Sequence, residues 1–155
     1  MASARTNDGK RAEAVQIVAA LEARGWTRPV LSAVIDQDIG PLARGKSMDT
    51  NDLRARLAAL PAFHTSEALT VLKDSIVQAQ ARRDRNRQRV KEGRAALAAP
   101  VPADHSWLAG RSGEALTAQI DCIRRNQQSD LETHTRHAAD QEKRIDRLIG
   151  AIQTR

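Results

Sequence analysis

The sequence predicts an all-α protein: a small N-terminal three-helix bundle, helix-turn-helix-like, followed by a long antiparallel helical hairpin or coiled coil. Two long segments repeat apolar or small residues in alternating steps of three and four. No stretch shows strand alternation bounded by turn signals, and alanine, arginine and glutamine are abundant, as in long helices. The pattern divides the chain into a flexible tail (1–9), a helical head (10–64) and a helical hairpin (65–155) with a connector at 100–111.

The first two helices of the head are predicted from their start and stop signals. One runs from about Lys10 to Arg24 and ends at Gly25, because glycine readily takes the left-handed conformation that closes a helix. The other follows Thr27, a residue type that caps helices, and has Pro29 in its first turn. Because the chain contains only two tryptophans and one phenylalanine as aromatic residues, we expect a core of leucine, isoleucine, valine and alanine.

A loop and a third short helix complete the predicted head. Glycine and proline residues mark the loop at 40–45. Asp49 or Thr50 caps the next helix, which ends before Pro61. Leucines with the i, i+4, i+7 spacing of one helix face lie at Leu53, Leu57 and Leu60.

Two long helices, 66–99 and 112–153, are predicted from a seven-residue repeat on either side of a proline-bearing break. In the first copy the repeat occupies Leu69, Leu72, Ile76, Ala79, Arg83, Asn86, Val90, Gly93 and Leu97. In the second it occupies Leu116, Ile120, Ile123, Gln127, Leu131, His134, Ala138, Gln141, Ile145, Leu148 and Ile152. Such a repeat marks the seam along which two helices pack side by side.

Folding the chain back at the break predicts the register of this seam. The expected pairs are 97 with 116, 93 with 120, 90 with 123 and 86 with 127. Polar residues in the middle of each helix, Arg83 and Asn86 against Gln127 and Asp130, would then meet and select the register.

Apolar residues at the end of the last helix extend beyond this register and need a cover. These are Leu148, Ile149 and Ile152. Either the N-terminal helices or a second subunit covers them, and we expect a homo-oligomer.

Positive charge is concentrated on the first long helix. The formal net charge of the chain is +6, and residues 81–94 carry seven basic against two acidic side chains. Such a segment attracts phosphates, so a nucleic-acid partner is the natural interpretation, and a solvated helix face is the alternative. The predicted phosphate contacts are Arg82, Arg85, Arg87, Arg89 and Lys91.

Three short helices are also the minimum set of a helix-turn-helix DNA reader. In that arrangement the third helix presents Asn51, Arg54 and Arg56 to base edges, since arginine and asparagine bind bases bidentately. A module that simply docks on the long helices is the alternative. Duplex DNA is favoured over RNA as the partner.

Residues Gly40–Ser47 match the pattern of a phosphate-binding P-loop, G-x-x-x-x-G-K-[ST]. That motif requires a preceding strand, for which Val30–Ile35 is the candidate, and a second strand that ends in an acidic metal ligand. The chain offers no second strand, so we favour a loop whose Arg44 and Lys46 contact a nucleic-acid backbone.

Other chemical sites are weakly indicated, so no cofactor or metal is expected and a non-enzyme is predicted. Asp130, His134, His137 and Gln141 share one helix face, which is more typical of a polar coiled-coil layer than of a metal site. Cys122 has no Cys or His partner in the pattern of a nucleophile. The N-terminus resembles no signal peptide and no apolar run has membrane-spanning length, so a cytoplasmic location without membrane contact is expected.

Segment Ala14–Leu60 resembles the N-terminal DNA-binding region of KfrA-type plasmid proteins. The likeness rests on Val18-Ala19-Ala20-Leu21, Gly25, Pro29, Val34, Ile39-Gly40, Leu53 and Leu57. Such proteins join a small helical DNA-binding head to an extended coiled coil. The resemblance therefore implies a DNA-binding regulatory or mobile-element protein of plasmid or phage type, although the loop at 40–49 is longer here and the coiled coil is shorter.

Two alternatives remain open. About 33 residues resemble the ProQ/FinO family of RNA chaperones, through Arg28-Pro29-Val30, Ala33-Val34, Ile39, Leu42-Ala43, Leu53-Arg54 and Leu57. This resemblance implies an RNA binder, but the tyrosine-leucine and glycine-arginine elements of that family have no counterpart. A phage or structural assembly protein, of small-terminase or scaffold type, is the second alternative.

Overall fold

The computed structural model describes residues 7–45 and 51–155, and the described residues are helical, with no strand among them. Six α-helices and one 3-10 helix, at Ser106–Leu108, occur in this part of the chain. The α-helices are α1 (Asn7–Ala23), α2 (Arg28–Ile35), α3 (Gly40–Ala43), α4 (Asn51–Ala58), α5 (Ser66–Ala98) and α6 (Gly113–Gln153). The all-α prediction is confirmed. The residues predicted as the start of the tail (1–6) and as the cap of α4 lie outside the described ranges.

The core of the head contains an aromatic pair, which corrects the expectation of a purely aliphatic core. Trp26 and Phe63 are 2% and 7% exposed, and their rings meet edge to face with 5.1 Å between centroids. The indole Nε1 of Trp26 donates a 2.8 Å hydrogen bond to the carbonyl oxygen of Pro61. Both aromatics follow turns, so a helical periodicity search does not detect them.

Residues 40–43, predicted as part of a loop, form the short helix α3. The carboxylate of Asp38 accepts a 2.9 Å hydrogen bond from the N–H of Gly40, and Pro41 follows in the first turn. Proline is well suited to that position because its ring presets the helical φ angle. Ile39 and Leu42 are fully buried. Their packing in the core stabilises α3, although its glycine and proline residues alone predicted an irregular loop.

The chain divides into two compact units. The first consists of the described residues up to Ala79 together with Lys143–Arg155, so the head folds with the beginning of α5 and the end of α6. The second consists of Gln80–Glu142. In the first unit, Leu72 and Leu148 are fully buried in one apolar cluster with the leucines of the head.

Two arginines near the C-terminus hydrogen-bond to backbone carbonyls of the first unit. Arg144 is 5% exposed; its Nε donates a 2.5 Å hydrogen bond to the carbonyl of Ala33, and its guanidinium lies 3.5 Å from the carboxylate of Asp36. Arg155 donates to the carbonyl of Phe63 and lies over its ring. Arg144 thereby satisfies a carbonyl that α2 leaves open at its C-terminal end.

In the second unit, α5 and α6 run antiparallel and contact each other along the faces that the repeat predicts. The predicted seam positions 83, 86, 90, 93 and 97 of α5 are the half-buried ones between 80 and 98. The register is a correction: Gly93 lies against Leu131 and not against Ile120. The difference is eleven residues on α6, about three helical turns, so the same face stays in contact.

The connector explains this register. Arg124 donates to the carbonyls of Ala96 and Ala99, so the C-terminal end of α5 lies about three turns beyond the start of α6. Leu108 in the connector and Ile123 on α6 are both buried.

Candidate nucleic-acid interface

The exposed cations of α5 lie on two flanks of its seam. Residues seven apart return to nearly the same side of a helix, and residues three or four apart are neighbours. One flank, called here the groove flank, consists of Arg87, Lys91 and Arg94. The other, called here the open flank, consists of Arg82, Arg85 and Arg89. All six side chains are exposed.

The groove flank borders a cavity between α5 and α6 of about 380 Å³. Its three cations lie along one edge, the floor contains Val90 and Ala138, and Thr135 closes the opposite edge. The hydroxyl of Thr135 donates a 2.8 Å hydrogen bond to the carbonyl of Leu131, so its proton is already engaged within α6. Cations beside a shallow apolar floor suit an elongated anionic chain better than a compact small molecule.

Glu142 neutralises part of this charge. Its Oε1 accepts a 2.9 Å hydrogen bond from Nη1 of Arg83 and a 2.7 Å hydrogen bond from Nη2 of Arg87. Arg83 also donates a 3.0 Å hydrogen bond from Nε to the carboxylate of Asp84. This bond, together with the one that Arg83 donates to Glu142, raises the pKa of Arg83 above its ordinary value against a lowering by desolvation, so the guanidinium stays charged. Arg83 therefore serves the seam, and Arg87 is shared between Glu142 and the groove.

In the second unit, four cations of α5 have no such partner among the described residues. Within the described ranges, no carboxylate lies at ion-pairing distance from Arg85, Arg89, Lys91 or Arg94. Arg82 makes further interactions and is not counted with them. The structure thus separates the predicted phosphate contacts into unpaired cations (Arg85, Arg89 and Lys91) and engaged ones, and it adds Arg94.

The predicted base-reading residues of α4 have different environments. The side chain of Arg54 is 11% exposed and its Nη1 bonds the carboxylate of Glu13 on α1. Arg54 is therefore part of the packing between α1 and α4, whereas Arg56 is exposed. The side chain of Asn51 lies outside the described residues.

The P-loop match lacks its structural context in the part of the chain that is described. The segment considered as its strand, Val30–Ile35, belongs to helix α2, and Gly40 begins helix α3. Arg44 is exposed at the end of α3, and Lys46 lies outside the described residues. Among described residues no group of three His, Cys, Asp or Glu side chains is arranged to hold a metal ion.

The polar residues of the seam do not pair as predicted. The amide of Asn86 donates to the carbonyl of Arg82 on its own helix, and the amide oxygen of Gln127 accepts from Arg124 three residues earlier. Polar side-chain contacts between the two helices are instead made by Arg83 and Arg87 with Glu142. Glu142 lies beside the seam and is not part of the repeat, so the heptad pattern does not indicate it. In the correct register, its charge complementarity to Arg83 and Arg87 would have identified it.

The residues proposed for oligomerisation differ in burial. Leu148 is fully buried in the core of the first unit and Ile152 packs against the same core, so the chain itself covers them. Ile149 is 40% exposed and is the one of the three that a second copy can reach.

Comparisons with protein-family models, with curated proteins and with solved structures find no match to this chain. The described helices include none with the length and apolar character needed to cross a membrane.

Proposed function

We propose that the protein binds nucleic acid without catalysing a reaction, and that α5 holds the phosphate backbone of duplex DNA. The observation that carries this proposal is the set of four exposed cations between residues 80 and 98 of α5 that lack a carboxylate partner within the described chain. Duplex DNA presents one negative charge per about 1.7 Å of axis, and a group of unpaired cations that binds its phosphates gains free energy by releasing the counterions condensed on the DNA.

The contacts are independent of base sequence. The cations lie on two flanks of one helix, and arginine and lysine side chains that bind phosphates do not read bases. Any base preference comes from the head, where Arg56 is exposed and Arg54 is held by Glu13. The protein is then a regulatory or mobile-element DNA-binding protein that assembles through its paired long helices as a helical hairpin.

The test compares two charge-matched triple variants by fluorescence anisotropy on a labelled 30-base-pair duplex at several salt concentrations. Arg85→Gln, Arg89→Gln and Lys91→Gln remove the unpaired cations of α5. The control combines Arg125→Gln, Arg136→Gln and Arg147→Gln, three exposed α6 cations without an ion pair in the described chain. Both variants lose three positive charges.

The slope of log K against log salt is negative, and each phosphate contact contributes about 0.9 to its magnitude. We therefore expect the α5 variant to reduce this magnitude by about 2.7. The control keeps the slope within about 0.5 of the native value. Equal losses in both variants, or no binding of native protein below roughly 100 μM at low salt, contradict the proposal. Absence of binding would instead favour a structural assembly role, and preference for structured RNA would favour the RNA-binding alternative.

A further inference from the structure

The connector carries an exposed tryptophan whose position is held from several sides. Trp107 is 49% exposed. Its backbone N–H donates a 3.1 Å hydrogen bond to Nδ1 of His105, and the His105 ring meets the indole edge to face at 5.7 Å. Nε of Arg111 donates 3.2 Å to the carbonyl of Trp107, and the next residue, Leu108, is buried. The indole is therefore presented on an anchored turn.

Polar groups surround this indole. A cavity of about 380 Å³, called here the connector pocket, is lined by Ser106, Trp107, Ala109, Arg111 and Gln119. It combines an aromatic face, a guanidinium, a hydroxyl and a carboxamide. An aromatic face beside a cation and hydrogen-bonding groups is the arrangement that holds a stacked base with its phosphate.

We propose that the connector pocket binds an unpaired nucleobase, which stacks on Trp107 while Arg111 contacts the adjoining phosphate. This inference rests on the proposed function and extends it from duplex backbone to a duplex with a single-stranded end. Bases within a duplex are stacked on each other, so an indole on the protein surface gains little from intact double strand and much from a free base.

The pocket lies on the same side of the paired helices as the open flank. Gln119 and Thr135 are sixteen residues apart on α6, which rotates them by about 160° and places them on opposite sides of the seam. Thr135 marks the groove flank, so Gln119 belongs with Arg85 and Arg89. Because Gly93 lies against Leu131, position 89 of α5 is level with position 135 of α6. Arg89 is therefore about 24 Å from Gln119 along the helix axis, a length that roughly seven nucleotides span at 3.4 Å each.

The test uses tryptophan fluorescence, because the chain has two tryptophans and Trp26 is 2% exposed in the core. The probes are a blunt 20-base-pair duplex and the same duplex with a ten-nucleotide single-stranded overhang. We expect the overhang duplex to quench the fluorescence of exposed Trp107 and the blunt duplex to leave it nearly unchanged. Trp107→Phe should abolish the quenching, since only buried Trp26 remains.

Affinity gives the second readout. Trp107→Ala should weaken binding of the overhang duplex roughly 5- to 150-fold relative to native protein and leave the blunt duplex unchanged, whereas Trp107→Phe keeps most of the affinity. Val77→Ala, which trims another exposed apolar side chain, serves as the control. Arg111→Gln should lower the affinity for the overhang duplex and leave the affinity for the blunt duplex unchanged. Circular dichroism verifies that each variant remains helical.

The outcomes separate this inference from the proposed function. Quenching by the overhang that persists in the Arg85, Arg89, Lys91 variant supports the pocket even if duplex binding fails. Equal quenching by both duplexes, or unchanged overhang affinity in Trp107→Ala, overturns the inference and leaves the backbone proposal standing. In that result Trp107 is an anchor for another kind of partner.

Discussion

Gly93 on α5 lies directly against Leu131 on α6: a β-carbon built at Gly93 would be 3.8 Å from the β-carbon of Leu131 and 3.4 Å from its Cδ1. The absence of a side chain at 93 lets the two helices approach at this point. The contact defines the register of the second unit, together with the bonds from Arg83 and Arg87 to Glu142.

This distance predicts a disulfide. Bridged cysteines have β-carbons about 3.8 Å apart, so Gly93→Cys with Leu131→Cys should cross-link on mild oxidation. The experiment uses a Cys122→Ser background, because Cys122 is a free and partly accessible thiol. The control pair, Gly93→Cys with Ile120→Cys, represents the register predicted from the repeat and should stay reduced. Free-thiol titration measures both, and cross-linking of the control pair alone would contradict the observed register.

Removal of Glu142 should strengthen nucleic-acid binding. Glu142→Gln releases Arg87 from its carboxylate partner, whereas Arg83 keeps its hydrogen bond to Asp84, so one further cation becomes available to phosphates. We expect tighter duplex binding at low salt and a salt slope steeper by about one. Glu132→Gln makes the same change of net charge at an exposed α6 site that contacts Gln128, and it should have a smaller effect. Equal effects of the two variants would show that only net charge matters.

Arg144 should be important for stability. Arg144→Gln leaves the carbonyl of Ala33 and the carboxylate of Asp36 without their buried partner, which we expect to cost about 2–4 kcal/mol. Arg147→Gln, on the exposed side of the same helix, should change the free energy of unfolding by less than about 0.5 kcal/mol. Urea denaturation followed by circular dichroism measures both. A similar small loss in each would mean that Arg144 is not bound as described.

Substitutions at Leu148 and Ile149 should have different effects, the first on folding stability and the second on assembly. Leu148→Ala empties a fully buried site and should destabilise the chain by about 2–5 kcal/mol at any protein concentration. Ile149→Asp changes an exposed side chain and should leave the free energy of unfolding nearly constant while lowering the mass of a homo-oligomer measured by light scattering. A Leu148→Ala protein that becomes monomeric at unchanged stability would reverse this assignment.

Much of the secondary structure could be predicted from local sequence. Helix α5 begins at Ser66 and ends at Ala98, and α6 runs to Gln153, within a residue of the predicted ends. Serine and proline mark such boundaries through backbone hydrogen bonding and a fixed φ angle, which act over a few residues. Helix α3 was missed because burial of Ile39 and Leu42 stabilises it, and burial depends on residues far along the chain.

For the candidate site, the sequence by itself determined where the cations lie and which faces of the long helices meet, because both follow from the helical period. Only the tertiary structure decided which cations are unpaired and which residues oppose each other. A repeat with a constant step is nearly unchanged by a shift of eleven residues, so its pattern cannot select one register. Specific contacts that the repeat does not contain select it: Arg124 at the end of α5, Glu142 between two arginines, and a connector that buries Leu108.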